Sequence, residues 1–295
     1  MFTDGAGRLQ PIWAFVLSAL LACVAFFVAG YAAASLAGDH VLRFEAVFRP
    51  LLVVLLLAVF SWLLTVGNHV EVHRIAAQGL PLSPGWAQQF GLGCGLGILL
   101  VFVAVVPLAI WGSLSFGTTV NLHSMTRVVV VLGVLTMGAL AEELMFRGYP
   151  FQRLVEGIGP TGAIVIFSLL FGVVHLSNPG AGVWGLINTV AIGVLLALAY
   201  LRTRALWLPW GIHFAWNATL GLLLGLPVSG LRLFNVAVHG TALGPTWLTG
   251  GGYGIEGSAS GAMAVLVGLV VIWKTPVRRL ASSDTLSPVE KTSWT

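Results

Sequence analysis

Charged residues are scarce in this sequence. Lysine, arginine, aspartate and glutamate together make up 8% of its 295 residues, whereas a soluble domain carries about 25%. No polar stretch reaches the length of about 50 residues that an independent soluble domain needs. Basic residues are not interleaved with exposed aromatic residues, so a nucleic-acid-binding surface is excluded as well. The composition therefore indicates an integral membrane protein.

Cysteine is also scarce, and its positions argue against a disulfide framework. The two cysteines, Cys23 and Cys94, both lie inside apolar runs, where cysteine usually acts as a small packing residue. Small residues follow the first run, as they do at a signal-peptide cleavage site, but the run is longer than an ordinary signal sequence. We therefore expect it to remain as a membrane anchor.

Long apolar runs are what the sequence has in abundance, since 58% of its residues are hydrophobic. About 20 apolar residues in a helix cross a hydrocarbon core of about 30 Å. The strands of a membrane barrel would alternate polar and apolar residues, and these runs do not. The sequence predicts an all-α, polytopic membrane helical bundle with about eight transmembrane helices, over residues 11–34, 48–66, 90–112, 128–154, 160–177, 183–201, 206–225 and 261–273.

These spans divide the chain into four predicted regions. Residues 1–127 hold transmembrane helices 1–3, residues 128–225 hold a core of helices 4–7, residues 226–274 hold a flexible or re-entrant outer loop and helix 8, and residues 275–295 form a disordered tail. Ten arginine and lysine residues lie on the side of the two termini, and four lie on the opposite side. The positive-inside rule then predicts cytoplasmic N- and C-termini, in a plasma membrane of the bacterial type.

Two adjacent acids interrupt the fourth span. Glu142 and Glu143 are the acidic residues that fall inside the predicted spans, and an acid at a helix centre costs about 2.5–3.5 kcal/mol. Arg147 lies one helical turn beyond Glu143 and can pair with it. One arginine does not neutralise two carboxylates, so we expect a coupled pair that keeps one proton and suits general acid–base catalysis. The alternative is that the helix ends at Arg147 and both acids lie among the lipid headgroups.

Two histidines favour the first interpretation. His175 lies in the fifth span, and His213 lies in the seventh, four residues before Asn217 on the same helical face. One intramembrane histidine is more often a structural hydrogen-bonding residue, but polar groups from three helices normally face one another inside a bundle. At about 1.5 Å per residue, these groups meet near mid-bilayer only if the fourth helix continues, with a kink at Pro150, to about Leu154.

The motifs that carry these residues resemble those of a known family. In chain order, EELMFRG, FGVVH and HFAWN match the patterns EExxxR, FxxxH and HxxxN/D of the CPBP family, which includes CAAX proteases and bacteriocin-processing enzymes of the type II prenyl-protease group. The resemblance covers roughly Val128 to Leu224. The resemblance implies an intramembrane protease whose catalytic core is formed by residues 128–225.

The resemblance also implies a role for each motif residue. Glu142 would be the general base that activates a water together with His175. His213 and Asn217 would donate hydrogen bonds to the developing oxyanion, which is often the largest catalytic contribution. The residues that would hold the base and its imidazole partner in place are Glu143, Arg147 and Phe171.

The same residues leave the question of a metal open. Glu142, His175 and His213 form a partial zinc set with one position left for water. Asparagine is a poor zinc ligand, however, and the structural view of the resembling family favours a metal-free glutamate mechanism. We therefore expect no cofactor and keep zinc as the alternative.

The sequence thus predicts a CAAX-protease-like endopeptidase that cuts a membrane-embedded, membrane-associated or prenylated substrate presented from the lipid bilayer. Two alternatives use the same residue types. One is a proton-coupled transporter, whose relay would also need acids and histidines, and the other is a non-catalytic scaffold or immunity protein. The enzyme is favoured because Asn217 supplies an oxyanion donor one helical turn from His213.

Overall fold

The computed structural model describes residues 2–68, 74–111 and 113–275, and most of them are helical. Its helices are α1 (Pro11–Ala37), α2 (Val41–Asn68), α3 (Arg74–Ala77), α4 (Trp86–Ile110), α5 (Leu122–Phe146), α6 (Tyr149–Val174), α7 (Val183–Thr203), α8 (Trp207–Ala218), α9 (Thr246–Thr249) and α10 (Ala259–Lys274). Two 3₁₀ turns cover His175–Ser177 and Ile255–Gly257, and a π-helical turn, Thr219–Leu223, continues α8. The strands β1 (Leu114–Thr118) and β2 (Val238–Ala242) pair antiparallel.

Five segments of the described chain are long and apolar enough to cross a membrane, namely Pro11–Ala37, Val41–Gly67, Trp86–Ile110, Leu122–Ser177 and Val183–Thr203. The fourth of them contains both α5 and α6, and α10 is a shorter apolar helix. The predicted helical membrane fold is therefore confirmed, and the number of eight transmembrane helices stays a prediction. The all-α prediction is incomplete, because β1 and β2 form a small sheet. Residues 276–295 of the predicted tail lie outside the described residues.

The start of α5 is fixed by a reciprocal capping arrangement. The Asn121 side chain accepts a hydrogen bond from the Ser124 backbone N–H at 2.9 Å, and the Ser124 hydroxyl accepts one from the Asn121 backbone N–H, also at 2.9 Å. These bonds satisfy N–H groups that a helix leaves unpaired at its first turn. The helix therefore begins at Leu122, earlier than the predicted boundary at residue 128.

The end of α5 differs from the prediction of one helix over residues 128–154. The helix stops at Phe146, and a side chain at Gly148 would collide with the Leu144 carbonyl. The expected kink at Pro150 is wrong, because the break lies two residues earlier. Pro150 instead lies in the first turn of α6, where the missing N–H of proline is tolerated.

The chain reverses its direction at Gly159, which adopts a left-handed φ of 83° inside α6. The second segment of α6 then runs back along the first segment and along α5. Three successive contacts trace this path, namely Phe151 with Phe167 at 5.5 Å and Phe146 with Phe171 at 5.1 Å between ring centroids, and Glu142 with His175. We expected that a helix ending at Arg147 would leave His175 far from the acids. This expectation is wrong, because the first segment of α6 supplies the missing length.

Helix α8 packs directly against α4. A Cβ on Gly97 would lie 2.5 Å from the Ile212 carbonyl oxygen, and a Cβ on Gly93 or Gly211 would collide with the backbone of the other helix. Small residues that let two backbones approach are typical of helix crossings in membranes. This backbone contact includes the residue immediately before His213, so it fixes where that imidazole starts.

Helix α1 packs with a different surface. It faces α2 and α6, and the residues that it buries are small and recur every three or four positions, namely Ala14, Ser18, Ala22, Ala25, Ala29, Ala33 and Ala37. One buried apolar cluster is centred on α1, α2, the end of α5 and α6, and a second is centred on α4, α7, α8 and α10. A cavity lies between the two clusters, with walls from both.

The glycine-rich loop before α10 is folded against the bundle, in place of the flexible segment that was expected. Tyr253 is buried, and its hydroxyl hydrogen-bonds with the Thr189 hydroxyl of α7 at 3.0 Å. The Asn188 side chain donates to the backbone carbonyl of Glu256 at 2.8 Å. Gly254 turns the chain with a φ of 90°, a conformation that favours glycine. The loop therefore carries Glu256 into the interior.

Candidate active site

The cavity has a volume of about 600 Å³, and most of its wall is apolar. Four of the predicted site residues line it, namely Glu142, His175, His213 and Asn217. The other two, Glu143 and Arg147, lie behind the wall and are almost completely buried. The structure thus brings the fourth, fifth and seventh predicted spans together around one chamber.

Glu142 lies where the three helices meet. Its Oε2 atom is 3.9 Å from Nε2 of His175 and 3.7 Å from Nε2 of His213. Both distances are too long for direct hydrogen bonds, and this buried oxygen has no hydrogen-bond partner among the described residues. The gap suits a small polar group that contacts all three atoms, such as a water molecule. Glu142 therefore points into the cavity, and Glu143 is buried behind its wall.

The two imidazoles are oriented through their other nitrogens. Nδ1 of His175 is 2.6 Å from the Phe171 carbonyl oxygen, and Nδ1 of His213 is 2.8 Å from Oε1 of Glu143. A carbonyl oxygen only accepts, so Nδ1 of His175 carries the proton and its Nε2 presents a lone pair to the cavity. The same assignment holds for a neutral His213 beside an ionised Glu143. Such anchoring of one ring nitrogen fixes the tautomer of the other.

Glu143 and Arg147 form a fully buried ion pair. Nη1 of Arg147 is 3.1 Å from Oε1 of Glu143, and the two side chains are 1% and 0% exposed. Arg147 also donates to the Gly193 carbonyl of α7 at 3.3 Å, and its guanidinium lies 4.4 Å from the centre of the Phe171 ring. The pair therefore connects α5, α6 and α7 behind His213.

Arg49 is a site residue that the sequence analysis missed. Its Nη1 lies 3.4 Å from Oε1 of Glu142, and its Nε lies 2.7 Å from Oε2 of Glu45. The sequence analysis counted Arg147 as the arginine beside the two acids, and the structure places a second arginine, Arg49, beside Glu142. Gly138, one turn before Glu142, leaves room for the Arg49 side chain, which a Cβ there would approach to 3.4 Å.

The expectation that only Glu142 and Glu143 lie inside helical spans is also wrong. The structure starts α2 at Val41, so Glu45 and Arg49 face each other as an i,i+4 pair within a helix. That spacing was the signal in the sequence, and the predicted start at residue 48 hid it. Glu156 lies in α6, where it pairs with Arg153 at 2.5 Å.

Asn217 lies at the end of α8, directly before the turn that changes to π-helical geometry. Such local changes of helix type are frequent at functional sites. Its side chain lines the cavity one turn beyond His213 and makes no hydrogen bond within the described part of the chain. The amide is therefore available to a group bound in the cavity.

Glu256 is a second residue that the sequence analysis missed. It is 5% exposed and lines the cavity. Its Oε1 atom accepts a hydrogen bond from Nε1 of Trp216 at 3.0 Å, and its Oε2 atom accepts from the backbone N–H and, at 3.1 Å, the hydroxyl of Ser229. Burial raises the pKa of this carboxyl, and the Ser229 and Trp216 donors, together with the charge of a protonated His175, act in the opposite direction.

The arrangement fits a bound zinc only in part. The three atoms that face one another, from Glu142, His175 and His213, are 3.7 and 3.9 Å from neighbour to neighbour. Ligand atoms at zinc bond lengths of about 2.0–2.1 Å in a tetrahedron lie about 3.3–3.4 Å apart. Within the described ranges no group of three histidine, cysteine or acidic side chains is arranged to hold a metal.

The part of the chain that carries these motifs is similar to known peptidases. Residues 124–219 match the family model described as "Type II CAAX prenyl endopeptidase Rce1-like". The "Putative membrane peptidase YdiL" of Bacillus subtilis (strain 168) is 26% identical over 211 residues, which cover 68% of this chain and 80% of that relative. No solved structure matches significantly. The matched range contains all three motifs, so the resemblance inferred from them is confirmed, and both matches support a membrane protease in general.

Proposed function

We propose that this chain, with its Rce1-like domain at residues 124–219, is an intramembrane endopeptidase in which Glu142 activates a water molecule. The observation that carries the proposal is the position of Glu142. Its unpartnered Oε2 atom faces Nε2 of both His175 and His213 across gaps of 3.7–3.9 Å, in a largely apolar cavity. The substrate would be a membrane-associated or lipidated peptide presented from the lipid.

Glu142 would act first as the general base. A water held between Glu142 and His175 gives one proton to the carboxylate, and its oxygen attacks the carbonyl carbon of the scissile bond. The Nε2 lone pair of His175 accepts the second water proton as a hydrogen bond and so orients the nucleophile. Arg49 supports the reactive, ionised form of Glu142 from the opposite oxygen.

The oxyanion that forms would be stabilised from α8. Asn217 can donate from its amide, and His213 can donate from Nε2 when its ring carries both protons, a form that Glu143 stabilises at Nδ1. The intermediate then collapses as the carbon–nitrogen bond breaks. Glu142 returns its proton to the leaving nitrogen, so a carboxylic acid and an amine are released and the base is regenerated.

The proposed mechanism uses no metal. If zinc were bound, Glu142, His175 and His213 would hold it, and it would supply an activated water. The base in the metal-free form is the carboxylate itself. A chelator would therefore inactivate a zinc-dependent enzyme and leave the metal-free enzyme active.

The test is cleavage of membrane-anchored peptides by the full chain reconstituted in liposomes. Glu142→Gln keeps the size of the side chain but removes the base, and we expect cleavage to fall by about 10²–10⁴-fold. Glu156→Gln is the matched control, because it removes a carboxylate of α6 that does not line the cavity. Chelator treatment should leave the native rate unchanged.

Three outcomes would contradict the proposal. Cleavage by the Glu142→Gln variant at the native rate would remove the base assignment. Loss of activity with chelator and its recovery with added zinc would replace the metal-free mechanism. The absence of any product specific to the native protein would favour a transporter or a scaffold.

A further inference from the structure

Glu256 is a buried acid without a positively charged partner. The groups that bind its carboxylate, the Trp216 indole and the two Ser229 donors, are all neutral. In the described ranges, no lysine, arginine or histidine lies within 4.0 Å of its oxygens. Buried charges in proteins are normally paired, so this carboxylate lacks the partner that its environment calls for.

The two arginines near the cavity are committed to other acids. Arg49 contacts Glu45 and Glu142, and Arg147 contacts Glu143 at the back of the site. Neither forms an ion pair with Glu256. The Ser229 and Trp216 donors favour the ionised carboxylate of Glu256, and a positive group in the cavity would stabilise the same form, while a negative group would be repelled.

The loop holds Glu256 firmly in this position. Asn188 donates to the carbonyl oxygens on both sides of the turn, those of Glu256 and Ser258, at 2.8 Å each. The Ser258 side chain then caps α10 by accepting from the Gly261 backbone N–H at 3.0 Å. A carboxylate held on a fixed backbone discriminates between ligands better than one on a mobile loop, because less ordering is needed on binding.

We propose that Glu256 is a specificity-determining residue that binds a lysine or arginine side chain of the peptide substrate. The inference rests on the proposed function, because Glu256 shares its cavity with Glu142 and His175. An inorganic cation would need several oxygen ligands, and Glu256 offers a single carboxylate. Glu256 and Ser229 lie beyond the matched residues 124–219, so this chain's own outer loop would set the preference.

The experiment uses the reconstituted full chain and a library of membrane-anchored peptides, with products identified by mass spectrometry. From a cleaved sequence, a matched set is made in which the basic residue is lysine, acetyl-lysine, glutamine or glutamate. Acetylation keeps the length of lysine and removes its charge. We expect kcat/KM to be about 10- to 100-fold higher for lysine than for acetyl-lysine or glutamine, and lowest for glutamate.

Variants then assign the preference to Glu256. In Glu256→Gln the ratio between the lysine and glutamine peptides should fall to about one, whereas Glu256→Asp should retain a preference for lysine. Glu156→Gln, the control outside the cavity, should keep the native ratio. The expected change lies in the ratio, which a residue that only anchors the loop would leave as it is.

The proposal is overturned if the native protein cleaves the lysine and acetyl-lysine peptides equally. This comparison uses only the native protein, so it does not depend on whether any variant folds. It is also overturned if Glu256→Gln lowers cleavage of all peptides by one factor and keeps the native ratio. Failure of the proposed function gives a different result, because no product would then distinguish the native chain from Glu142→Gln.

Discussion

The two arginine–glutamate pairs of the site differ in burial and in origin. The pair of Glu143 and Arg147 is formed within one turn of α5 and is 0% and 1% exposed. The pair of Glu142 and Arg49 joins residues 93 positions apart, from α5 and α2, and its side chains are 20% and 19% exposed. Adjacent glutamates thus lie in two environments, one sealed inside the protein and one facing the cavity.

This difference separates two tasks that a single carboxylate would perform poorly. A sealed ion pair is costly to break, because the charge that remains is uncompensated in its surroundings. It suits a residue that only has to hold His213 in place. Each glutamate has an Oε2 atom without a hydrogen-bond partner among the described residues, but that of Glu142 faces His175 and His213 at 3.9 and 3.7 Å. We therefore propose that Glu142 is the one that accepts a proton. Substitutions at Arg147, Arg49 and Glu45 test this difference between the two pairs.

The largest effect is expected from breaking the sealed pair. Arg147→Gln leaves Glu143 buried without its arginine, and we expect a loss of about 3–5 kcal/mol in the free energy of unfolding. The measurement is unfolding of the purified protein in detergent, followed by its helical signal. Arg8→Gln is the control, since it breaks the exposed i,i+4 pair with Asp4 and should change stability by less than about 1 kcal/mol. Equal free energies of unfolding for the two variants would show that the pair of Glu143 and Arg147 does not stabilise the fold.

A smaller effect on stability and a clear effect on rate are expected at the cavity. Arg49→Gln removes the cation beside Glu142, so a smaller fraction of Glu142 is present as the carboxylate that can accept a proton. We expect a rate loss of about 10-fold with a stability change within about 1 kcal/mol. The pH dependence of peptide cleavage is the measurement, with Arg49→Lys as the variant that keeps the charge. A rate loss as large as that of Glu142→Gln would instead make Arg49 part of the chemistry.

The smallest effect is expected at Glu45. Glu45→Gln removes the competitor for Arg49 and leaves the guanidinium to Glu142 alone. The side chains of Glu45 and Arg49 are 16% and 19% exposed. An i,i+4 pair on a helix contributes about 0.3–0.5 kcal/mol, so the rate and the unfolding equilibrium constant should each change less than about threefold. The measurement is the cleavage rate and the unfolding free energy of Glu45→Gln beside those of Arg49→Gln, and the effect at Glu45 should be the smaller one. A larger loss at Glu45 than at Arg49 would reverse the assignment of the two roles.

The motif residues could be predicted because each lies in a short, local pattern. Ionisable side chains in a membrane protein normally face one another inside the helical bundle or lie outside the hydrocarbon region. Contact between Glu142, His175 and His213 was therefore the expected arrangement if all three lie within spans. Arg49 could not be found in this way, since its partner is far away in sequence and the capacity to reach Glu142 depends on how α2 crosses α5. The position of Glu256 could not be predicted either, because the residues that fix it, such as Asn188 and Ser229, are distant in sequence. Its glycine-rich surroundings suggested flexibility, and only the contacts with Asn188 and Ser229 show a folded loop.

The helix boundaries were predicted less well where glycine and proline compete. Pro150 suggested a kink, but proline is harmless in the first turn of a helix. Gly148 is the residue that ends α5, because no side chain fits beside the Leu144 carbonyl. The predicted spans left residues 155–159 as a loop, whereas in the structure α6 continues through them and the chain turns sharply at Gly159. Such choices depend on atoms several residues away, which composition does not reveal.

The glycine contact between α4 and α8 has a mechanical consequence. Two backbones that touch without intervening side chains cannot shift past each other unless the helices separate, so the wall behind His213 is stiff. The opposite wall belongs to α1, which meets its neighbours through alanines and presents Cys23 and Phe27 to the same chamber. We expect an incoming peptide to be accommodated by displacement of α1, while the imidazole and the amide of Asn217 stay where they are.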